Sequence, residues 1–150
     1  MKLIYKNGDI LKATENIICH QTNCQGIMGG GLALQIRETY PNVFVPYENF
    51  CEQHDFNYEK LNGQIQLLKI SNENKYIANC FSQRANYDTD YNAIEKCFEQ
   101  IIKFAKKEKM TICAPFNYGC GIANGNWDIV KNIFETLSKK HRINIVIYKF

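Results

Sequence analysis

Two glycine-rich segments are the parts of the sequence best suited to chemistry. The first covers residues 23–33 and reads Asn-Cys-Gln-Gly-Ile-Met-Gly-Gly-Gly-Leu-Ala, and the second covers residues 117–127 and reads Asn-Tyr-Gly-Cys-Gly-Ile-Ala-Asn-Gly-Asn-Trp. Each follows an apolar run typical of a buried strand and precedes a helical pattern. A glycine loop at such a junction exposes backbone N–H groups at the positive end of a helix dipole. The pair predicts a nucleotide-like ligand, with two phosphates or with a phosphate flanked by sugars.

Neither segment matches the two best-known phosphate-binding loops. The sequence has no G-x-G-x-x-G pattern followed ~20 residues later by an acidic residue, and no Gly-Lys-Ser/Thr. Rossmann dinucleotide binding and P-loop chemistry are therefore disfavoured. Gly29, Gly30 and Gly31 form an unusual run, because each glycine costs roughly 0.5–1 kcal/mol relative to alanine inside a helix or strand. We expect the backbone here to approach a ligand closely; tight packing of a helix on a sheet is the alternative.

Few side chains near these loops offer acid–base or nucleophilic chemistry. His20 precedes the first loop and is a candidate general base for a water molecule, because imidazole titrates near neutral pH; the alternative is a buried histidine held by a backbone hydrogen bond. Cys120 lies between two glycines, where a helix N-terminus would lower its thiol pKa, or it is simply a small residue that fits. Asp88 and Asp90 either reach the site or cap the helix that follows them.

The elements that must position these residues alternate along the chain. Apolar runs predict strands at residues 2–6, 17–20, 63–70, 75–81, 111–116 and 144–148, and helical spacing predicts helices at 32–40, at 44–53, from about 88–90 onward and from Trp127 onward. The alternating pattern of 63–70 is typical of an edge strand. The order predicts an α/β fold with a mostly parallel central sheet between helices. Ligands of such sheets bind beyond the carboxyl ends of the strands, where both glycine loops fall.

Composition sets further limits on the class of protein. The 150 residues suit one domain spanning 1–150, and the net charge of +3 is too small to imply nucleic-acid binding. Seven cysteines, an odd number without a Cys-x-x-Cys pair, indicate free thiols in a reducing compartment. The N-terminus lacks a secretory pattern and no segment is apolar enough to span a membrane, so a cytoplasmic protein is expected. The three histidines fall outside zinc-site spacing, so no metal site is predicted. No cofactor is predicted either.

Several motifs in a fixed order give the sequence a family resemblance. They are Gly-Asp-Ile at 8–10, the segment 19–33, Tyr-Ile-Ala-Asn-Cys-Phe at 76–81, the segment 117–122, and Trp127. Together they cover nearly the whole chain and resemble the macrodomain family, whose ligand is ADP-ribose. The resemblance implies a three-layer α/β fold with a mixed, mostly parallel sheet.

Within that family the chain looks like the branch with a single asparagine and a methionine–glycine loop. That branch contains the fungal ADP-ribose-1″-phosphate phosphatase, the terminal ADP-ribose–glutamate hydrolase, and the antitoxin that removes ADP-ribose from DNA. The chain does not resemble the branch with an Asn-Ala-Ala-Asn loop and a downstream catalytic aspartate.

The resemblance also implies a role for each site residue. Asp9, with Ile10 beside it, would accept a hydrogen bond from the adenine amino group; an ordinary turn residue is the alternative. Asn23 would contact the distal ribose, and Tyr148 or Phe81 would pack on the adenine, unless Tyr148 is simply a core or edge aromatic. The residues expected to bind the ligand are Asp9, Ile10, Asn23, Gly26, Ile27, Met28, Gly29, Gly30, Gly31, Leu32, Phe81, Asn117, Tyr118, Gly119, Cys120, Gly121, Ile122, Ala123 and Tyr148. His20 and Asn23 are the expected catalytic residues.

Two departures from the branch bear on the chemistry. The glutamate hydrolase and the DNA antitoxin carry a lysine where residues 81–84 read Phe-Ser-Gln-Arg here. The glutamate hydrolase also has an aspartate at the position of Ala123, which Asn124 follows. A Schiff-base mechanism through a lysine is therefore not expected.

Three functions remain in competition. The first is a hydrolase acting on an ADP-ribosyl bond or on ADP-ribose-1″-phosphate, supported by the branch resemblance and His20. The second is a non-catalytic reader of ADP-ribose-type nucleotides, supported by the missing lysine and by Ala123. The third is a nucleic-acid-binding domain, which the small charge opposes. The expected partner is ADP-ribose or an ADP-ribosylated macromolecule, bound by a monomer without membrane contact; nucleic acid is expected only where it carries the ADP-ribosyl group.

Overall fold

A computed structural model describes residues 1–85, 88–121 and 123–150 of the chain. The strands and helices follow one another as β1 (Leu3–Asn7), β2 (Ile17–Thr22), α1 (Gly31–Thr39), α2 (Phe44–Gln53), α3 (Tyr58–Leu61), β3 (Ile65–Ser71), β4 (Lys75–Phe81), β5 (Gln83–Ala85), β6 (Asp88–Thr89), α4 (Tyr91–Glu108), β7 (Ile112–Pro115), α5 (Trp127–His141) and β8 (Ile145–Lys149). Two short 3-10 turns, Ile10–Lys12 and Pro41–Val43, precede β2 and α2.

Six of the strands form one sheet in the order β1-β8-β7-β2-β4-β3. Every neighbouring pair is parallel except β3 and β4, which are antiparallel. The expected mixed, mostly parallel sheet is confirmed, and so is the edge position of β3. The strands β5 and β6 form a separate small antiparallel pair.

Helices cover both faces of this sheet, because successive strand residues point to opposite sides. On one face, Ile17 and Cys19 of β2 belong to the core under α4 and α5, together with Phe98 and Phe134. On the other face, Ile18 packs beneath α1 and the 3-10 turns. The three-layer α/β architecture is therefore confirmed. A third cluster, containing Met28, Tyr47 and Phe81, lies beneath the first glycine loop.

The longest helix, α4, begins at a side-chain cap. The Oδ1 atom of Asp90 accepts a hydrogen bond from the Ala93 N–H at 3.2 Å. Its Oδ2 atom accepts from the Tyr58 hydroxyl at 2.5 Å and from the guanidinium of Arg84 at 3.3 Å. Asp88 is exposed and pairs only with Arg84 among the described residues, at 3.1 Å. Of the two roles considered for Asp90, the structure shows the cap.

All seven cysteines carry free thiols, and six of them are buried. None of the helices within the described residues combines the length and the apolar character needed to cross a membrane.

Replacing Asp90 by alanine should lower the free energy of unfolding by about 2 kcal/mol, because the helix loses its cap and the Tyr58 hydroxyl loses its acceptor. Asp88→Ala is the matched control: it removes an exposed ion pair to the same arginine and should cost at most about 0.5 kcal/mol. Urea denaturation of both variants measures the difference. Equal losses would show that the Asp90 cap contributes little to the stability of α4.

Candidate functional site

The sheet opens into a crevice between two neighbouring strands. β2 and β7 pair only at Ile17–Ile112 and Ile18–Cys113 within the described residues. Beyond that point β2 stays paired with β4 as far as Thr22, and β7 stays paired with β8 as far as Pro115. The chain leaves β2 for α1 on one face and leaves β7 for α5 on the other. Such a reversal at the carboxyl ends of parallel strands is where α/β sheets bind ligands.

The crevice holds two connected clefts. The larger has a volume of about 490 Å³ and is lined by His20, Gln21, Thr22, Asn23, Ile27, Gly29, Gly30, Gly31, Leu32, Ala33, Gln83, Pro115, Phe116, Asn117, Tyr118, Gly119, Gly121 and Ala123. The smaller, of about 340 Å³, is lined by Gly8, Asp9, Ile10, Leu32, Gln35, Pro115, Phe116, Asn117, Tyr148 and Phe150. Because four residues line both clefts, one extended ligand can occupy them together.

The first glycine loop is held in shape by Asn23 and Tyr47. The Tyr47 hydroxyl lies 2.8 Å from the backbone carbonyl oxygen of Asn23 and 2.6 Å from its Oδ1, so these two acceptors share its one proton. The same Oδ1 accepts from the Gln25 N–H, and the Asn23 Nδ2 donates to the Ile27 carbonyl. Asn23 therefore fixes the loop, and one N–H of its amide group stays available to a ligand.

The start of α1 is open to the larger cleft. Gly30 occupies the N-cap position and provides no side-chain hydrogen bond. The amides of the first turn, at Gly31, Leu32 and Ala33, have no partner among the described residues, and these residues line the cleft. Uncapped N–H groups at the positive end of a helix dipole bind anions well.

The second glycine loop is built differently from expectation. α5 begins six residues after Gly121, and the Asn126 side chain caps it by accepting from the Asp128 N–H at 2.9 Å. This loop therefore presents its own amides to the cleft rather than the end of a helix. The amides of Gly119, Gly121 and Ala123 have no acceptor among the described residues.

A buried polar network ties the second loop to the sheet. The Thr89 hydroxyl donates to the Gly119 carbonyl at 2.6 Å, and the Gln21 Nε2 donates to Thr89 at 3.0 Å. The Ser82 hydroxyl donates to the Gln21 Oε1 at 2.7 Å and lies 3.0 Å from the Tyr118 hydroxyl. Gly119 has a φ of +70°, and a Cβ there would lie 3.1 Å from the Gln21 Oε1. Only glycine fits this close approach without strain.

The larger cleft has a lining without charged side chains among the described residues. Lysine, arginine, aspartate and glutamate are missing from its lining within the described part of the chain, and Asp9 has the only charged side chain among the described residues that line the smaller cleft. Phosphate oxygens would therefore be met by backbone N–H groups, which provide donors without a competing counterion.

His20 lies at the base of the larger cleft and is only 1% exposed. Its Nε2 lies 2.6 Å from the Asn79 Oδ1 on β4. Burial lowers the pKa of His20 from 6.5 to about 4. The ring is therefore neutral at physiological pH, and it can accept a hydrogen bond although it holds a proton weakly.

The smaller cleft combines an acceptor with aromatic surfaces. The Asp9 Oδ1 accepts from the Leu11 N–H at 2.9 Å and caps the 3-10 turn, which leaves Oδ2 for other donors. The Tyr148 hydroxyl donates to the Glu15 Oε1 at 2.6 Å, so its ring is fixed in orientation. The ring of Phe116 lies under the Lys149 ammonium, 4.7 Å from the ring centroid.

Most of the residues expected at the site meet in these clefts. His20, Asn23, Ile27, Gly29, Gly30, Gly31, Leu32, Asn117, Tyr118, Gly119, Gly121 and Ala123 line the larger cleft. Asp9, Ile10 and Tyr148 line the smaller one. Ile122 lies outside the described residues.

Four expected ligand-binding residues line neither cleft. Phe81 is fully buried, with ring centroids 6.0 Å from Tyr47 and 5.4 Å from Phe50, so its side chain faces the core rather than a ligand. Met28 is buried in the same cluster. Gly26 packs under Phe56.

Cys120 is the fourth of these residues. Its Sγ contacts the Tyr118 carbonyl at 3.2 Å, and burial raises its thiol pKa, opposite to the activated thiolate considered from sequence.

Sequence reasoning missed other lining residues. Gln21 and Thr22 belong to β2, which continues two residues past its predicted end. Phe116 directly follows β7, and Gln83 opens β5. These residues could have been predicted from their position at the carboxyl ends of strands, because parallel sheets bind ligands at that edge.

Comparison with known proteins relates this geometry to a family. The family model for the Macro domain matches residues 19–134. An uncharacterized 17.5 kDa protein from the tk-vs intergenic region of Enterobacteria phage T4 is 32% identical over 148 residues, which cover 95% of this chain and 94% of the phage protein. An ADP-ribose 1″-phosphate phosphatase from Meyerozyma guilliermondii is 24% identical over 175 residues, covering 98% of each chain.

A solved structure supports the same relation at the level of the fold. The macrodomain of Mycobacterium tuberculosis DarG matches with a TM-score of 0.84 at 22% identity, over 99% of this chain and 97% of the other.

The stability of the fold should depend on pH through His20. The pKa of His20 is about 4 in the folded protein, against an ordinary value of 6.5 that applies to the unfolded chain. At a pH between these two values, the unfolded chain therefore binds a proton that the folded chain does not. Stability is therefore lost as the pH falls through this window, by about 2.5 kcal/mol between about pH 7 and about pH 4.5. A His20→Gln variant should lose correspondingly less over the same interval.

Urea denaturation at the two pH values measures this difference. Ser138→Ala, which removes a buried hydrogen bond but changes no titratable group, is the control variant, and its unfolding free energy should show the same pH dependence as that of the unmodified protein. If the unmodified protein and His20→Gln lost equal amounts of unfolding free energy between the two pH values, the pH dependence would not come from His20.

Proposed function

Because this chain belongs to the Macro domain family, we propose that it binds ADP-ribose across the two connected clefts and hydrolyses a group attached to the distal ribose. The main support for this proposal is that two loops with unpaired backbone amides line the cleft at the opening between β2 and β7. A relative that matches over 98% of both chains is named for hydrolysis of an ADP-ribose phosphate, which supports the reaction class.

The pyrophosphate belongs between the two loops. The N–H groups of Gly31, Leu32 and Ala33 face it from α1, and those of Gly119 and Gly121 face it from the second loop. Two neighbouring phosphates need several donors at once, and these five amides supply them from opposite sides. The uncharged lining also suits a diphosphate that carries neutral sugars on both sides.

The adenosine end belongs in the smaller cleft. The free Oδ2 of Asp9 would accept from the exocyclic amino group of adenine, as the family resemblance implies. Tyr148 and Phe116 border the same space and offer aromatic surfaces for the base. The distal ribose then lies at the other end, near His20 and Asn23.

The groups around the distal ribose suit a water-dependent hydrolysis with modest side-chain assistance. The unprotonated ring of His20 and the amide of Asn23 can orient a water or a sugar hydroxyl. With a pKa of about 4, His20 is a weak general base at neutral pH. Most of the stabilisation of a developing charge would come from the backbone N–H groups. The leaving group would be a phosphate in a phosphatase reaction, or a protein or nucleic-acid group in a glycohydrolase reaction.

One observation favours a second candidate, a non-catalytic reader of ADP-ribose. The described lining of the larger cleft has neither a lysine nor a carboxylate, and Ala123 stands where the related glutamate hydrolase has an aspartate. Binding would then be the whole function. A monomeric state and a reducing, cytoplasmic location stay predictions; the seven free thiols support the location.

Isothermal titration with ADP-ribose should show micromolar or tighter binding, with weaker binding of AMP and of NAD as controls. Preference for ADP-ribose over AMP follows because AMP lacks the second phosphate and the distal ribose. Absence of binding by a folded sample would refute the proposed ligand. Release of phosphate from ADP-ribose-1″-phosphate, or of ADP-ribose from modified protein or DNA, then separates the hydrolase from the reader.

Replacing Gly30 by glutamate should weaken ADP-ribose binding by about 100-fold, since a carboxylate at the start of α1 repels the pyrophosphate. Gly30 has an extended backbone, φ −156° and ψ 165°, which any residue adopts, so the variant should fold. Gly30→Ala is the matched control and should stay within about threefold of the unmodified protein. Unchanged affinity of Gly30→Glu would place the pyrophosphate elsewhere.

A further inference from the structure

We infer that Gln66 and Asn79 are positioning residues that lock the ring of His20 in a single tautomer, whose Nδ1 accepts a hydrogen bond from a hydroxyl of the distal ribose. The inference rests on the proposed function for the identity of the ligand. The tautomer itself follows from this chain's own hydrogen bonds.

Three hydrogen bonds in series link the Pro46 carbonyl to His20, and the Pro46 carbonyl determines which atom donates in each of them. The carbonyl of Pro46 can only accept, so the atom that meets it at 3.0 Å is the Nε2 donor of Gln66. The Gln66 Oε1 is then the acceptor for the Asn79 Nδ2, also at 3.0 Å. The Asn79 Oδ1 in turn accepts from the His20 Nε2 at 2.6 Å. The proton of the neutral ring must therefore be on Nε2.

The other ring nitrogen is left as a bare acceptor. The Nδ1 atom of His20 is buried and has no hydrogen-bond partner among the described residues. A buried polar atom without a partner costs about 1–3 kcal/mol, so a site that keeps one is adapted to a group that arrives later. Since His20 lines the larger cleft, that group comes from the ligand or from a water that the ligand replaces.

The group must be a donor. Phosphate oxygens at neutral pH only accept, and they would face the lone pair of Nδ1 unfavourably. A sugar hydroxyl donates readily. His20 is therefore suited to the distal ribose rather than to the pyrophosphate. This agrees with its place in the larger cleft, which Asn23 also lines, whereas Asp9 lines the smaller cleft.

The backbone holds this arrangement rigid. His20 and Asn79 are register partners on β2 and β4, and Asn79 and Gln66 are partners on β4 and β3. All three side chains lie on the sheet face covered by α1 and α2, and Pro46 belongs to α2. Burial and Asn79 are the influences that set the pKa of His20. A charged neighbour is not needed to keep the ring neutral.

Nitrogen-15 NMR of histidine-labelled protein tests the tautomer without any ligand. The full chain should show His20 protonated at Nε2 and bare at Nδ1 at neutral pH. Saturating ADP-ribose should then shift the Nδ1 resonance, whereas saturating ADP, which lacks the distal ribose, should leave it in place. A proton on Nδ1 in the free protein would overturn the inference. So would an Nδ1 resonance that bound ADP-ribose does not move.

The variant Asn79→Asp provides the matching functional test. A carboxylate opposite Nε2 stabilises the imidazolium, which places a proton on Nδ1 and turns the acceptor into a donor. ADP-ribose affinity should fall about tenfold or more while ADP affinity changes less than about twofold. Equal losses for the two ligands would mean that Asn79 acts only on the structure of the site.

A second variant tests the tautomer and a third is a control for folding. Gln66→Leu removes the amide that orients Asn79. It should give a mixture of His20 tautomers and an about threefold loss of ADP-ribose affinity without a matching loss of ADP affinity. Ser138→Ala removes a buried hydrogen bond, to the Ile143 carbonyl at 2.6 Å, at the far end of α5, and should change neither ligand's affinity. If ADP-ribose does not bind the unmodified protein, the proposed function fails, and the spectrum of the free protein still decides the tautomer.

Discussion

The short pairing between β2 and β7 is the constraint on which the rest of the structure depends. Within the described parts of the chain, the two strands pair at two register positions and then separate, while each stays joined to its outer neighbour. Parallel strands that separate at their carboxyl ends leave backbone groups without ladder partners, and a ligand with many acceptors and donors can satisfy them. The clefts, the opposed loops and the place of His20 all follow from this opening.

Hydrogen bonds among uncharged side chains give the opening its shape. Gln21, Ser82 and Thr89 hold the second loop, and Gln66 and Asn79 hold His20. Buried amides and hydroxyls are fully directional, so each network allows few alternative arrangements once every partner is in place. Charged groups would bind phosphates more strongly in isolation, but they would need counterions in the free protein. The site instead relies on dipoles that the fold has already oriented.

The sequence predicted the elements well where local patterns were long. The predicted helix 44–53 and the predicted strand 75–81 have the same bounds as α2 and β4. The segments α3, β5 and β6 were missed, because two to four residues carry too little periodicity to detect.

Side-chain direction was harder to predict than secondary structure. Phe81 was expected on a base, yet Tyr47 and Phe50 of α2 enclose it. His20 was expected to titrate near neutral pH, yet burial lowers its pKa to about 4, and its hydrogen-bond partner Asn79 lies 59 residues away in the sequence. Both outcomes depend on which distant strand or helix packs on which face of the sheet. A single sequence does not show how distant elements pair and pack.

The helix starts show how the sequence divides its residues between stability and binding. α3, α4 and α5 begin with Asn57, Asp90 and Asn126, and each side chain accepts from an amide of the first turn. α1 begins at Gly30, which cannot do so. A serine or aspartate there would stabilise the helix by about 1 kcal/mol, but its oxygen would occupy the amides that a phosphate needs. Since the capped α5 leaves its loop amides free instead, only α1 contributes a helix end to the site. Among the described residues, α2 also starts without a side-chain cap, at Val43, but it continues directly from a 3-10 turn and does not line the clefts. The run of three glycines therefore marks the helix start at the clefts where a side-chain cap is absent and the amide donors stay open.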